Sequence, residues 1–193
     1  YVTFFLNGRK DSFDNAYIPT RGQSVGISYD WVFGGGPNKF NNFHAIHFDA
    51  KKVVGGDRFA FIPSVNIRYL IGDEVPVPFT NTIGGSVAGR YLDQQIPFIG
   101  INNAAAMQKI VGVARSDFRF KLFKNNYLTA MANYALTCNE ISDFKDVSAK
   151  VSGYFGGGVQ YTYNSIIGPV GLNVHWSEYT HNLGLYFSLG FDF

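Results

Sequence analysis

Leu183-Gly-Leu-Tyr-Phe-Ser-Leu-Gly-Phe-Asp-Phe193 is the stretch that decides the fold. It places apolar side chains at Leu183, Leu185, Phe187, Leu189, Phe191 and Phe193, with small or polar ones at most positions between, and it ends on an aromatic. A strand turns successive side chains to opposite faces, so the segment has one greasy surface and one wet surface. In a soluble sandwich the greasy face would be an interior. In a barrel through an outer membrane it meets lipid, while the wet face lines the lumen.

The same pattern recurs along the chain. Val25, Ile27, Tyr29, Trp31 and Phe33 alternate with Ser24, Gly26, Ser28 and Asp30, and Phe59, Phe61, Val65, Ile67, Tyr69 and Ile71 with Arg58, Ala60, Ser64, Asn66 and Arg68. Ile110, Ala114, Phe118, Phe120 and Leu122 interleave with Lys109, Arg115, Asp117, Arg119 and Lys121; Val170, Leu172, Val174 and Trp176 interleave with Gly171, Asn173, His175 and Ser177. Such runs match the about 9–11 residues of a tilted membrane strand better than the about five or six of a soluble one.

Composition agrees and excludes other classes. Hydrophobic residues make up 46%, aromatics 17% and charged residues only 16%, against about 25% charged in an ordinary soluble domain. The 12 Tyr and 19 Phe suit interfacial girdles. No run approaches the about 18 apolar residues of a membrane helix. A net charge of +2, with Lys and Arg spread along the strands, gives no footprint for nucleic acid. Cys138 is the single cysteine, so an internal disulfide is excluded, and no Cys/His set has metal-binding spacing. His44 and His47 fall on opposite strand faces, and His175 and His181 straddle a loop. No cofactor is expected. No signal peptide stands at Tyr1, although an outer-membrane protein needs one, so the chain reads as mature or truncated.

Strands are expected near 1–10, 20–34, 43–54, 57–72, 108–123, 126–138, 150–164, 169–178 and 181–193, with ends good to about 2–4 residues. With a periplasmic C-terminus, the connections sort by length. Lys124-Asn125, 164–168 and Gly55-Gly56 make short periplasmic turns, and 71–107 and 138–150 make long outer loops, as in such barrels; 11–19 is a longer periplasmic link. About nine strands is an odd count, and an open sheet in lipid leaves unpaired amides costing several kcal/mol each. Either the chain is the C-terminal part of a larger barrel, or strands from another chain complete it, or the true count differs by one.

A series of segments, in order, resembles the C-terminal half of the barrel shared by the BamA insertase, two-partner secretion transporters and patatin-like autotransporters, the bacterial surface antigen superfamily. Asp14-Asn-Ala-Tyr-Ile-Pro-Thr-Arg-Gly22 resembles the family's Pro-Thr-x-Gly lead into a long strand. Val75-Pro-Val-Pro-Phe-Thr-Asn-Thr-Ile-Gly-Gly85 with Gly89-Arg90-Tyr91 is similar to the glycine pair and the Arg-Gly-Phe/Tyr tip of a loop that folds back into the barrel. Ser152-Gly-Tyr-Phe-Gly-Gly-Gly-Val-Gln-Tyr161, running on to Gly168-Pro169-Val170, resembles the glycine-rich strand and Gly-Pro-Leu turn. Phe193 resembles the terminal aromatic.

The resemblance implies an all-β fold: residues 1–193 as the C-terminal part of an antiparallel transmembrane β-barrel of about sixteen strands, within the range of single-chain outer-membrane barrels, with no second domain. In Gly89-Arg-Tyr-Leu-Asp-Gln-Gln-Ile-Pro-Phe98 the Arg follows the Gly and a polar Asp-Gln-Gln comes next. That order is more similar to the barrels of patatin-like phospholipases from Bacteroidetes-type bacteria than to the insertase. The implied loop motif is Gly84, Gly85, Gly89, Arg90 and Tyr91. Arg90 offers a planar five-donor fork that needs an acceptor on the lumen wall. The family's acidic residue aligns within 127–137, where this chain has Asn133; Asp117 or the Asn133 amide oxygen are the candidates, and a solvated Arg90 is the bland reading.

Some patterns invite a catalytic reading and lack its context. Gly22-Gln-Ser-Val-Gly26 fits G-x-S-x-G, but that motif needs a strand-to-helix elbow, and here Ser24 sits within an alternating strand. Ser177, Glu178 and His181 share a short outer loop with no apolar pocket, and Asp117 and Glu140 fall on different sides of the membrane band. The expected role is an outer-membrane anchor or translocation barrel of a Gram-negative bacterium, with any lipase upstream of Tyr1. A BamA-like insertase, a passive porin or adhesin and a soluble lipid-binding barrel are the rivals. The expected partners are outer-membrane lipids, the assembly machinery that reads Leu189, Phe191 and Phe193 as an insertion signal, the remaining strands and a fused or associated domain.

Overall fold

In the computed structural model, described for all residues except 16–17, 35–41, 87–91, 93, 167 and 190–193, the period-two segments form strands. They are β1 (Val2–Asp11), β2 (Gly22–Phe33), β3 (Phe43–Gly55), β4 (Phe59–Ile71), three short strands β5 (Thr82–Ile83), β6 (Gln95–Ile96) and β7 (Ala105–Ala106), then β8 (Ile110–Phe123), β9 (Asn126–Cys138), β10 (Ser152–Ser165), β11 (Gly168–Ser177) and β12 (Leu183–Leu189). The long strands make one nine-stranded antiparallel sheet in the order β1-β2-β3-β4-β8-β9-β10-β11-β12. Among the described residues β1 and β12 each pair on one side only.

Local chemistry sets the connections. Lys124 takes a left-handed backbone, φ 37°, as the two-residue reversal between β8 and β9 requires. Gly22 enters β2 at φ 111°, where a Cβ would meet the Ser12 carbonyl oxygen at 2.4 Å. Pro63 lies inside β4; it has no N–H to donate, and the β3–β4 register is interrupted between Lys51↔Ser64 and Val54↔Phe61. Arg58, expected on the lumen face, stands in the turn before β4, where its carbonyl accepts from the Lys121 N–H at 2.9 Å.

The outward face carries the apolar series. Val25, Ile27, Tyr29, Trp31, Phe118, Phe120, Leu172, Val174, Leu185 and Phe187 are exposed, whereas Ser24, Asn133, Asn173, His175 and Ser177, one residue out of phase, are buried. A face of exposed aromatic and branched side chains beside a buried polar one inverts the soluble arrangement and is the signature of a barrel wall in lipid. The chain is thus a partial antiparallel transmembrane β-barrel. Where rings meet on this face they pack across strands: Phe59 with Phe120 at 5.1 Å, and Phe61 with Phe118 at 5.0 Å.

Around Asn133, His175 and Ser177 the inward face is buried because the connection from β4 to β8 folds against it. This loop carries a 3-10 turn at Val77–Phe79 and a small sheet in the order β6-β5-β7. Ile83, Ile96, Phe98, Ile101 and Ala105 of the loop pack with Val111, Val113 and Ala135 of the wall. Full burial of such side chains contributes roughly 1.5–3 kcal/mol each. A second cluster joins Val32, Phe43, Ala45 and Leu70 with Val75 and Phe79 at the long-loop end.

Candidate functional site: the loop seated in the lumen

The loop is turned inward by its glycine pair. Gly84 (φ 141°) and Gly85 (φ 67°) both have left-handed backbone, and a Cβ on Gly84 would lie 2.0 Å from the Asn103 carbonyl oxygen. Only glycine fits such a crossing. The Gly85 N–H donates to the Ile101 carbonyl at 2.8 Å and its carbonyl accepts from the Phe98 N–H at 3.0 Å, so the outgoing and returning segments are zipped together. Gln95, buried beneath, donates its amide to the Gly84 carbonyl at 2.7 Å.

The returning segment, residues 98–102, is gripped by three strands of the wall. Asn133 of β9 accepts the Ile99 N–H at 2.6 Å and donates to the Ile99 carbonyl at 3.2 Å. An amide carries both a donor and an acceptor, so one side chain can satisfy both ends of a residue's main chain; a carboxylate could take only the N–H. On β11, Ser177 donates to the Gly100 carbonyl at 2.9 Å, and the His175 ring bridges Asn102 at 2.6 Å and Asn173 at 2.7 Å. Thr180 also donates to the Gly100 carbonyl, at 3.1 Å. Strand β10 contributes space instead of bonds. A Cβ on Gly156 would come within 2.2 Å of the Ile99 carbonyl oxygen and 2.9 Å of the Phe98 ring, and one on Gly158 within 3.1 Å of the Ile99 side chain. The glycine-rich strand is the groove in which the loop lies.

The loop's base is held by cations of the wall. Arg68 of β4, buried, donates to Asn81 at 2.7 Å and to the Phe79 carbonyl at 3.3 Å, and Asn81 donates onward to the carbonyls of Gln108 and Lys109 at 2.9 and 2.8 Å. A buried guanidinium needs such acceptors. Arg115 of β8 grips Asp117 through a fork at 2.7 and 2.9 Å and reaches the Ser86 carbonyl at 3.1 Å.

The positions singled out from sequence fall as follows. Gly84 and Gly85 make the inward turn. Asp117 is engaged by Arg115 and Asn133 by Ile99; Gly89, Arg90 and Tyr91, whose docking those acceptors were to serve, lie outside the described residues, as do Phe191 and Phe193 of the terminal signal. Leu189 ends β12 and is exposed. Ser24 lies inside β2, paired with Asp11 and Lys51, with no elbow. Glu178 accepts the Phe155 N–H at 2.9 Å, so the Ser177, Glu178 and His181 set is a strand-end clasp. Sequence reasoning missed Asn133 as a main-chain clamp, along with His175 and Ser177. For the last two the one visible trace was the polar run Asn173, His175 and Ser177 at alternate positions of β11.

At the opposite end, the Pro-Thr-x-Gly lead is held by Asp14, which accepts the N–H groups of Thr20 at 2.8 Å and Arg21 at 3.2 Å as well as the Thr20 hydroxyl. The Thr20 hydroxyl, with those amides, lowers the Asp14 carboxyl to about 2. Arg119 of β8 donates to the Pro19 carbonyl and ties this link to the lumen wall.

The arrangement holds a folded loop in a barrel lumen and, among the described residues, assembles no metal cluster. Comparison with curated proteins finds no match. A family model described as the OMP85 superfamily matches residues 1–193. With its lipid-facing sheet and inward-folded loop, the chain belongs to the OMP85 superfamily of outer-membrane β-barrels.

Proposed function

We propose that residues 1–193 are the C-terminal part of an outer-membrane barrel that anchors, and serves to export, a patatin-like phospholipase-type domain of the same protein. The observation that carries the anchoring role is the loop clamped by Asn133, His175 and Ser177 across the lumen wall. A passive porin needs an open aqueous channel, whereas here the long-loop end of the polar face binds the chain's own loop. The patatin-type reading is supported by the order Gly89-Arg-Tyr with Asp93-Gln-Gln95. In the same reading the outer edges of β1 and β12 pair with further strands of the intact barrel, because unpaired amides in lipid cost several kcal/mol each.

The test uses the full-length protein in a Gram-negative host. Phospholipid hydrolysis by purified outer membranes, abolished by a covalent serine-hydrolase inhibitor and lost when the chain is truncated upstream of Tyr1, is the expected result. No hydrolysis, together with a fall in other outer-membrane barrels when the protein is depleted, would replace this reading with the insertase.

A further inference from the structure

Between the seated loop and the short-turn end, the described residues bound a lumen cavity of about 220 Å³. A single water needs about 10–15 Å³ by the same measure, so the space admits a solvated group with an attached chain. Ser86 of the loop lines one side and Pro19 of the link before β2 lines another.

Charge on the walls is unbalanced. Among the described residues Lys51 of β3 and Arg115 and Arg119 of β8 line the chamber together with one carboxylate, Asp117. Arg115 is matched by its fork on Asp117. Arg119 gives an N–H to the Pro19 carbonyl and lies 5.9 Å from the centre of the Tyr127 ring, neither of which cancels its charge. Among the described residues the Lys51 ammonium makes no hydrogen bond or ion pair. Asp11 and Asp14 act on this pair from the short-turn side, but Asp14 is already held by Thr20 and Arg21. Like charges in a walled cleft focus the field and concentrate counter-ions.

The free donors suit a tetrahedral acceptor. A planar carboxylate is best met by an arginine fork, and the fork in this chamber is occupied. What remains is a point-charge ammonium, one side of a guanidinium and the hydroxyls of Thr162 and Ser188 on walls to the other side. Donors arriving from several directions match the oxygens of a phosphoryl group. We propose that this chamber is a phosphate site, taking free phosphate or a phosphomonoester headgroup through the short-turn end of the lumen.

The experiment titrates the intact barrel, purified in uncharged detergent, with inorganic phosphate, glycerol 3-phosphate and short-chain phosphatidate at constant ionic strength. Unfolding midpoint and calorimetric binding are the readouts. Saturable binding that raises the midpoint is expected; tighter binding of the phosphatidate identifies a lipid headgroup, and binding of inorganic phosphate alone identifies the free ion. Lys51→Met should weaken binding by at least about tenfold, while raising the phosphate-free midpoint by relieving repulsion from Arg119. Lys51→Arg should retain binding. A phosphate response no larger than that of chloride would overturn the proposal, as would a Lys51→Met protein that is less stable without phosphate and binds it unchanged. In either case the charge would be neutralised by carboxylates elsewhere in the barrel.

Discussion

Gly156→Val is expected to drive the loop out of the lumen while leaving the wall assembled. The added side chain would begin with a Cβ 2.2 Å from the Ile99 carbonyl oxygen, 2.7 Å from Asn133 Nδ2 and 2.9 Å from the Phe98 ring. Strand β10 cannot retreat, because it is laddered to β9 from Ser152 to Tyr163 and to β11 from Gly156 to Ser165. The loop is held more weakly, by hydrogen bonds of about 1 kcal/mol each and by burial of Phe98 and its neighbours at roughly 1.5–3 kcal/mol per side chain. Single-channel recordings should then show a larger and steadier conductance than the parent, and residues 72–109 should become protease-sensitive. Gly112→Val is the control, since its Cβ meets only the Ile67 side chain at 3.8 Å; it should conduct like the parent. Equal conductance from both variants would mean that the loop does not close the lumen.

The second large effect concerns sidedness. Arginine at Ile27 or Leu185, both exposed on the outward face, should destabilise the barrel by about 2–4 kcal/mol near the bilayer midplane. Arginine at Ser28, between Asn7 and His47 on the inward face, should cost far less, because the lumen side is polar. Refolding titrations into lipid vesicles measure the difference. Equal losses at Ile27 and Ser28 would sink the assignment of faces.

The wall was legible in the sequence because its physics is periodic. Two solvents on two faces impose an alternation that needs no partner information, and β2, β4, β8, β11 and β12 each carry it; the expected strand at 169–178 is observed at Gly168–Ser177. The seat of the loop was not legible in the same way. Asn133 and Ile99 are 34 residues apart, and His175 and Asn102 are 73 apart; no spacing rule links a polar residue on a wall to a peptide group in a distant loop. Gly156 and Gly158 were visible as part of a family-like motif, but their reason, room for Phe98 and Ile99, exists only once the loop is in place. The resemblance makes the Asn133 amide oxygen a candidate acceptor for Arg90, whereas its paired use of donor and acceptor on one residue's main chain emerges from geometry alone. The small sheet of β5, β6 and β7 was hidden for another reason: two-residue strands are too short to show any period.

A cysteine scan of β11 tests the central claim, a lipid-facing wall with a loop covering its inner face. In a Cys138→Ser background, single cysteines from Val170 to Ser177 are labelled with a fluorophore in the folded, vesicle-embedded barrel, and a lipid-attached quencher is added. The account predicts strong quenching at Val170, Leu172, Val174 and Trp176. At Asn173, His175 and Ser177 it predicts slow labelling and little quenching, because Gly100 and Asn102 of the loop lie over them. Quenching without alternation, or fast labelling at Asn173 by a water-soluble reagent, would contradict it.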